Sequence, residues 1–434
     1  MRIALDCSAI PRRMAGAGVY SYQLVRALAK IESGHEFVVF ARAGLFDDLA
    51  TDNKRVRVAP VNAGSRVTRL AWEQAALPFL LRRHGIDLLH STHHHTPVVA
   101  GGSVKRVVTF HDVTFLVLPK RYPLVRRLYM STLTRAAARV ADAIITPSRS
   151  TRDDVVRKLG VNQDRITVIP YAAGPQYTPS DAAAVARVRE RYRLAGDYIL
   201  SVSSLEPGKN RTRLIRAVAR LREEGVDCRL AIAGQPGWRY EGDMELAREL
   251  GLGDRVHYLG YVPDDDLPPL YSGAALLAYP SLYEGFGLPV LEAQACGTPV
   301  IASLNSAFPE IVDDSAWLVK PDNLTEISQS IQHILNNPEF KEKLIKKGLE
   351  KCIDAVLPVF AKMDGKTGKK ARSLSLKRER AHLEEEIAGQ LISLGRGLYE
   401  KLSKDKERSM AKQLEVEDSI TNIEANVNVL VKLY

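Results

Sequence analysis

Short apolar runs alternate with amphipathic stretches along most of this chain. The runs Arg2–Asp6, Phe37–Phe40, Val56–Ala59, Leu88–His90, Val107–Phe110 and Ala143–Thr146 are rich in Val, Ile and Leu. Apolar on both faces, they fit buried parallel strands. Helical periodicity fills the gaps, for example at Val19–Lys30 and Trp72–Arg83. The alternation stops at Tyr171–Gly196, which holds Gly174, Pro175, Pro179 and one short charged helix. It restarts at Tyr198–Ser203 and continues through Leu230–Ala233, Val256–Leu259, Leu276–Tyr279, Val300–Ala302 and Trp317–Val319. Helices are expected at Asn210–Glu224, Glu245–Gly251 and Pro289–Cys296. This pattern predicts two doubly wound α/β domains, 1–172 and 198–350, joined by a linker at 173–197.

From residue 351 the character changes. A basic segment precedes an amphipathic run from Arg380 to about Lys412, and Val427, Leu430 and Leu433 give a last apolar stripe. A helical tail packing on the body or on a partner is the expectation there.

Composition narrows the class. Hydrophobic residues make up 45% and charged residues 26% of the chain, the balance of a globular protein. The first ten residues start on a strand pattern and lack the apolar region of a signal peptide. No run is long enough to span a membrane. Cys7, Cys228, Cys296 and Cys352 are scattered, which suits small core residues in a reducing compartment. A cytoplasmic enzyme is expected, at most peripheral at the inner face of the membrane. The net charge of +10 favours anionic partners such as nucleoside diphosphates or anionic lipid. No basic and aromatic interleaving marks a nucleic-acid module.

The sharpest chemical signal is the segment 281–303, SLYEGFGLPVLEAQACGTPVIAS. It reads as a strand end, a glycine-rich turn and a helix opened by Pro289. Glu284 then sits in the turn and Glu292 in the helix's first turn, at the sheet edge where ligands bind in such folds. Gly285 and Gly287 allow close backbone approach, and the amides of Phe286, Gly287 and Leu288 face an anion or hydroxyl. Two carboxylates there can accept hydrogen bonds from vicinal diols. A helix with acids that complement its dipole is the plainer reading, and it leaves Glu-Gly-Phe-Gly-Leu-Pro unexplained.

This spacing and its filling resemble the E-x7-E motif of family 4 retaining glycosyltransferases, and the likeness extends over residues 1–345. The resemblance implies the GT-B fold and a sugar-nucleotide donor. It points to the mannosyltransferase-like branch of bacterial polysaccharide assembly, with a GDP- or UDP-hexose donor and a glycan or lipid-linked acceptor. By the same resemblance Glu284 lies by the donor sugar, Phe286 and Gly287 offer backbone contacts to it, and Glu292 holds the ribose.

Three further segments fit. Lys209, in SVSSLEPGKNRTRLIRAV at 201–218, sits beside a helix start suited to a diphosphate. The resemblance makes it part of a clamp on the leaving nucleotide. Ser204 occupies the place of the family's arginine and Gly208 that of a frequent second one, leaving Arg211 and Arg213 as candidate replacements. Gly16 and Gly18 precede the first helix and match a loop that closes over donor phosphates; as a dinucleotide fingerprint they lack the third glycine. His111, beyond the strand Val107–Phe110, matches a histidine that reaches the transferred sugar.

Other groups carry less. His93, His94 and His95 are adjacent on one extended loop, so their side chains are expected to diverge and line an acceptor pocket or a plain loop rather than hold a metal. Asp264, Asp265 and Asp266 read as the acidic start of a helix. The segment 120–143 interleaves Arg126, Arg127, Arg135 and Arg139 with apolar residues and could face an anionic membrane. No metal or other cofactor is expected for the transfer. The rival readings are a non-catalytic sugar-nucleotide sensor and another sugar-nucleotide enzyme on the same architecture.

Overall fold

The computed structural model describes residues 1–361, save 12, 13, 15, 31–33, 53, 100–103, 238 and 239. Of the tail expected from residue 351, only 351–361 is described, as the end of helix Pro338–Ala361; its amphipathic run and last apolar stripe lie outside the described residues.

Thirteen strands are described. The first sheet holds β1 (Arg2–Asp6), β2 (Glu36–Ala41), β3 (Val56–Pro60), β4 (Leu88–Ser91), β5 (Lys105–Thr109), β6 (Ala143–Thr146) and β7 (Ile166–Val168). The second holds β8 (Tyr198–Val202), β9 (Arg229–Ala233), β10 (Val256–Gly260), β11 (Leu276–Tyr279), β12 (Val300–Ser303) and β13 (Trp317–Val319). Their orders are 3-2-1-4-5-6-7 and 10-9-8-11-12-13, so each sheet reverses direction beside its first strand. Every pairing is parallel.

Helices cover both faces, so the central strands are apolar throughout; β11 is buried at all four positions. Leu77, Leu81 and Leu89 fill one face of the first sheet, while Val25, Phe37 and Phe46 fill the other. Leu214, Val218 and Ile331 lie under one face of the second sheet, and Tyr271, Leu277 and Val290 under the opposite face. Each fully buried aliphatic side chain of this kind contributes about 1.5–3 kcal/mol.

Two local departures from the sequence pattern matter for the site. The expected helix at Trp72–Arg83 opens with a π-helical turn, Trp72–Ala76, inserted between Arg66–Ala71 and Leu77–Arg83. Such turns rotate side chains off the regular helical face. The short helix expected within the linker, Ala182–Arg191, packs on helix Leu267–Ser272 and buries Val188 in the second core. Strand β7 is not among the strands read from the sequence; its three residues place Thr167, exposed, between two apolar ones.

Candidate active site

Each sheet presents loops at the carboxyl ends of its strands, and Gly285 brings the two sets together. A Cβ on Gly285 would lie 2.0 Å from the His111 carbonyl oxygen and 2.8 Å from the Asp112 Cβ, so no larger residue fits. The Gly285 carbonyl accepts from Ser148 Oγ at 2.7 Å and Thr151 Oγ1 at 3.1 Å. Those hydroxyls belong to the start of helix Arg149–Leu159, on the first domain. The same helix start donates its Arg149 and Ser150 amides to Glu310 of the second domain, at 3.1 and 2.9 Å. This is a helix N-terminus satisfied by a carboxylate.

The turn ends at Gly287, whose φ of +109° only glycine adopts readily. Helix Leu288–Ala295 begins there. Phe286 is buried against Tyr171, with ring centroids 4.9 Å apart. Tyr171 in turn packs on Tyr20, at 4.7 Å, from helix Ala17–Lys30. That helix opens after Gly16, at φ +50°, and its first turn includes Gly18, packed on Pro11. The glycine loop, His111 and the 284–288 turn are therefore joined through one aromatic cluster.

Lys209 and Glu284 meet directly. The ammonium donates to Glu284 Oε1 at 2.7 Å and to the Tyr279 hydroxyl at 3.3 Å. Both side chains are mostly buried. Burial opposes the charge on Lys209, but Glu284, Tyr279 and Glu206 outweigh it and hold its pKa well above the ordinary value. Asn210, at φ +58°, fastens this loop by donating to the carbonyls of Pro280 and Pro321. The Leu282 amide also donates to the Gly208 carbonyl, at 2.9 Å.

Glu292 lies one residue deeper than the sequence suggested: it is the fifth residue of its helix, just past the first turn. Its Oε2 accepts from the Tyr271 hydroxyl at 2.8 Å. Burial pushes its carboxyl up to about 7, against the hydrogen bonds from Tyr271 and Tyr177. Glu292 and Leu288 line a cleft of about 220 Å³ with Val19, Tyr20, Tyr171 and Tyr177. The cleft is walled by both domains.

His111 is buried, and both ring nitrogens are occupied. Nε2 lies 2.9 Å from the Thr92 carbonyl, which can only accept, so Nε2 carries the proton. Nδ1 then accepts from the Tyr171 hydroxyl at 2.6 Å. Burial lowers its pKa to about 3, so the ring is neutral.

The expected arginine replacements do not serve. Arg211 is buried and paired with Asp243 at 2.7 Å, and Arg213 is turned to Asn210 Oδ1 and the Pro321 carbonyl. The Ser204 side chain is exposed, and its carbonyl accepts from Arg211. The sequence reading missed Arg121, on the first domain. Its Nη1 is buried without a hydrogen-bond partner and lies 3.9 Å from where a Gly208 Cβ would stand. The guanidinium thus fills the space opened by the small residue at 208. Tyr271 and Tyr177 were missed as well, because nothing in local spacing ties them to Glu292.

Asp266 stands where a helix start was expected, at the N-cap of helix Leu267–Ser272, and its carboxylate serves Tyr192 and Arg191, each at 2.8 Å, rather than the helix amides. One other expectation needs correction. The three histidines do diverge between neighbours: His94 donates to the Asp112 carbonyl at 2.7 Å. His93 and His95, two apart, share the opposite side and converge on Glu73.

The chain matches the family described as Glycosyltransferase Family 4 over residues 14–173, and Glycosyl transferases group 1 over 187–351. It is 31% identical to O-antigen chain mannosyltransferase B of Escherichia coli, covering 80% of this chain and 94% of that one. It is 32% identical to the serotype-specific mannosyltransferase WbdA of Escherichia coli over 55% of this chain, but over only 30% of that longer protein. Sucrose-phosphate synthase from Thermosynechococcus elongatus shares the fold with a TM-score of 0.68 at 23% identity, covering 82% of this chain and 94% of that one. Anabaena HepE, solved with UDP-glucose, gives 0.65 at 20% identity, with 82% and 94% covered.

Proposed function

This chain belongs to the family 4 glycosyltransferases, and on that premise we propose that it transfers mannose, with retention at the anomeric carbon, from GDP-mannose to a growing glycan or lipid-linked acceptor. The observation that carries the reading is the Lys209–Glu284 pair, set beside Gly285 and Gly287 at the edge of the second sheet. The ammonium is already charged, buried and oriented, so it can stabilise charge that develops on a leaving diphosphate without reorganising. Arg121 Nη1 adds a second cation beside the same loop. Glu292 accepts from the ribose hydroxyls inside the cleft it shares with Tyr177. Glu284, engaged by Lys209, grips a sugar hydroxyl and holds the ammonium in place. Neutral His111 fixes the loops around the transferred sugar.

The acceptor reading extends to a surface. Leu124, Val125 and Leu128 are exposed at the start of helix Leu124–Val140, with Arg126 and Arg127 between them. An apolar edge flanked by arginines on a chain of net charge +10 suits an anionic lipid surface, where a lipid-linked acceptor would reside. No described helix is long and apolar enough to cross a membrane.

The test is isothermal titration with GDP, UDP and ADP, on the wild type and on Glu292→Ala, followed by transfer assays with the matching mannose donor. Tight binding of GDP alone, lost in the variant, supports the reading, as does an α-linked product by NMR. Binding without any turnover of the donor would replace it with a sugar-nucleotide sensor.

A further inference from the structure

Four buried polar side chains gather on the first domain, and the transfer proposed above uses none of them. Asp6 ends β1, His93 and His95 lie just beyond β4, and Glu73 projects from the π-helical turn. Asp6 and Glu73 are fully buried, and His93 and His95 are more than nine-tenths buried. Among the described residues, Asp6 Oδ2, His93 Nδ1 and both ring nitrogens of His95 make no hydrogen bond. Groups so buried normally find partners, because an unpaired one costs about 1–3 kcal/mol. The open His95 nitrogens and Asp6 Oδ2 stand among ligand-type atoms of Glu73 and His93, which indicates that something else binds there.

The spacing identifies it. Ligand atoms about 2.1 Å from a tetrahedral zinc ion lie about 3.4 Å from one another. His93 Nε2 is 3.1 Å from Glu73 Oε2 and 3.8 Å from Asp6 Oδ2, on either side of that value. Donor atoms of Glu73, His93 and His95 all fall within 4.8 Å of one another, and the two imidazoles stand edge to face at 5.7 Å. A modest rotation of the His95 ring closes the set. Two imidazoles and one or two carboxylates suit zinc among the first-row divalent ions.

We propose that His93, His95 and Glu73, with Asp6 as fourth ligand or close support, bind one zinc-class divalent ion that anchors the loop 92–96. Arg69 Nη1 donates to Glu73 Oε2 at 2.7 Å and lies 3.2 Å from His93 Nε2, so the ion takes that nitrogen from the guanidinium. That oxygen has lone pairs for both the guanidinium and an ion, and Gln74 Nε2 holds Glu73 Oε1 at 2.9 Å, fixing the carboxylate plane. The ion shares no residue with the Lys209–Glu284 pair. Its reach to the active site runs through Thr92, whose carbonyl takes the His111 Nε2 proton. It is therefore a structural ion that steadies a positioning loop.

The experiment uses the purified full-length protein, stripped by chelator and reloaded with Zn²⁺ or Co²⁺. Elemental analysis should find about one equivalent per chain after desalting. The Co²⁺ form should show visible d–d absorption of a nitrogen- and oxygen-ligated site, and loading should raise the melting midpoint by about 3 °C or more. His95→Ala and Glu73→Gln should lose the equivalent, the spectrum and the shift, with His95→Gln as a second variant if either fails to fold. His94→Gln should keep all three. A wild type that retains no stoichiometric metal and melts unchanged overturns the proposal, leaving Arg69 as the cation of the cluster. Retention undiminished in both His95→Ala and Glu73→Gln overturns it too, by placing the ion elsewhere.

Discussion

The two sheets share the strand order that places a switch point beside their first strand, yet they treat the polar groups at that edge differently. In the second domain the carboxylates are already matched: Lys209 holds Glu284, and the Tyr271 hydroxyl donates to Glu292. In the first domain Arg69 meets Glu73, but Asp6 Oδ2 and both His95 ring nitrogens are buried with no hydrogen-bond partner among the described residues. A site built for an exchanging substrate keeps its charged groups satisfied between turnovers. A site built for a resident ion leaves them short of one partner. On the readings proposed above, fold position says where a ligand binds, and the hydrogen bonds left open say what kind.

The largest effect that would break this comparison lies at the second-domain pair. Lys209→Ala should lower kcat/KM for donor turnover roughly a thousandfold, the loss seen when one preorganised charge-stabilising donor is removed. An initial-rate assay decides, and a loss under tenfold would remove the ammonium from the proposed chemistry. Next comes Glu292. Glu292→Ala should weaken nucleotide binding by roughly 10- to 100-fold, the range for a hydrogen bond to a charged group.

The same residue sharpens the comparison through pH. Its folded pKa of about 7 lies above the unfolded value of 4.5, so the folded chain holds a proton that the unfolded chain has released. The contribution to stability is full below pH 4.5 and is lost as pH rises through 7. Its upper bound is about 3 kcal/mol. Denaturant melts of wild type and Glu292→Gln across that window should show the slope only in the wild type. The smallest expected effect is at Arg121. Arg121→Ala should raise the donor KM by about tenfold with little change in protein stability, since the side chain is half-buried and its buried Nη1 makes no hydrogen bond. An unchanged KM would leave Lys209 as the sole cation on the diphosphate.

Much of this was legible in the chain itself. Alternating apolar runs located twelve of the thirteen described strands, because buried parallel strands must be apolar on both faces. The turn chemistry of Glu284–Leu288 and the helix start after Lys209 were legible for a similar local reason: glycine, proline and lysine each act within a few residues of chain. The short helix within the linker 173–197 was legible for the same local reason, whereas the burial of its Val188 against the second core was not, because that contact is with distant segments.

What the tertiary structure decided is everything that depends on two distant segments meeting. The pairing of Lys209 with Glu284 spans 75 positions, and that of Tyr271 with Glu292 spans 21. Arg121 reaches the space above Gly208 from the other domain, while Arg211, nearer in sequence, is claimed by Asp243. The three adjacent histidines carried only the information that neighbours diverge. That two of them converge on Glu73 required a π-helical turn and a β4 loop to be packed face to face. Sequence periodicity fixes which side of an element is buried; only packing fixes which buried groups share a point in space.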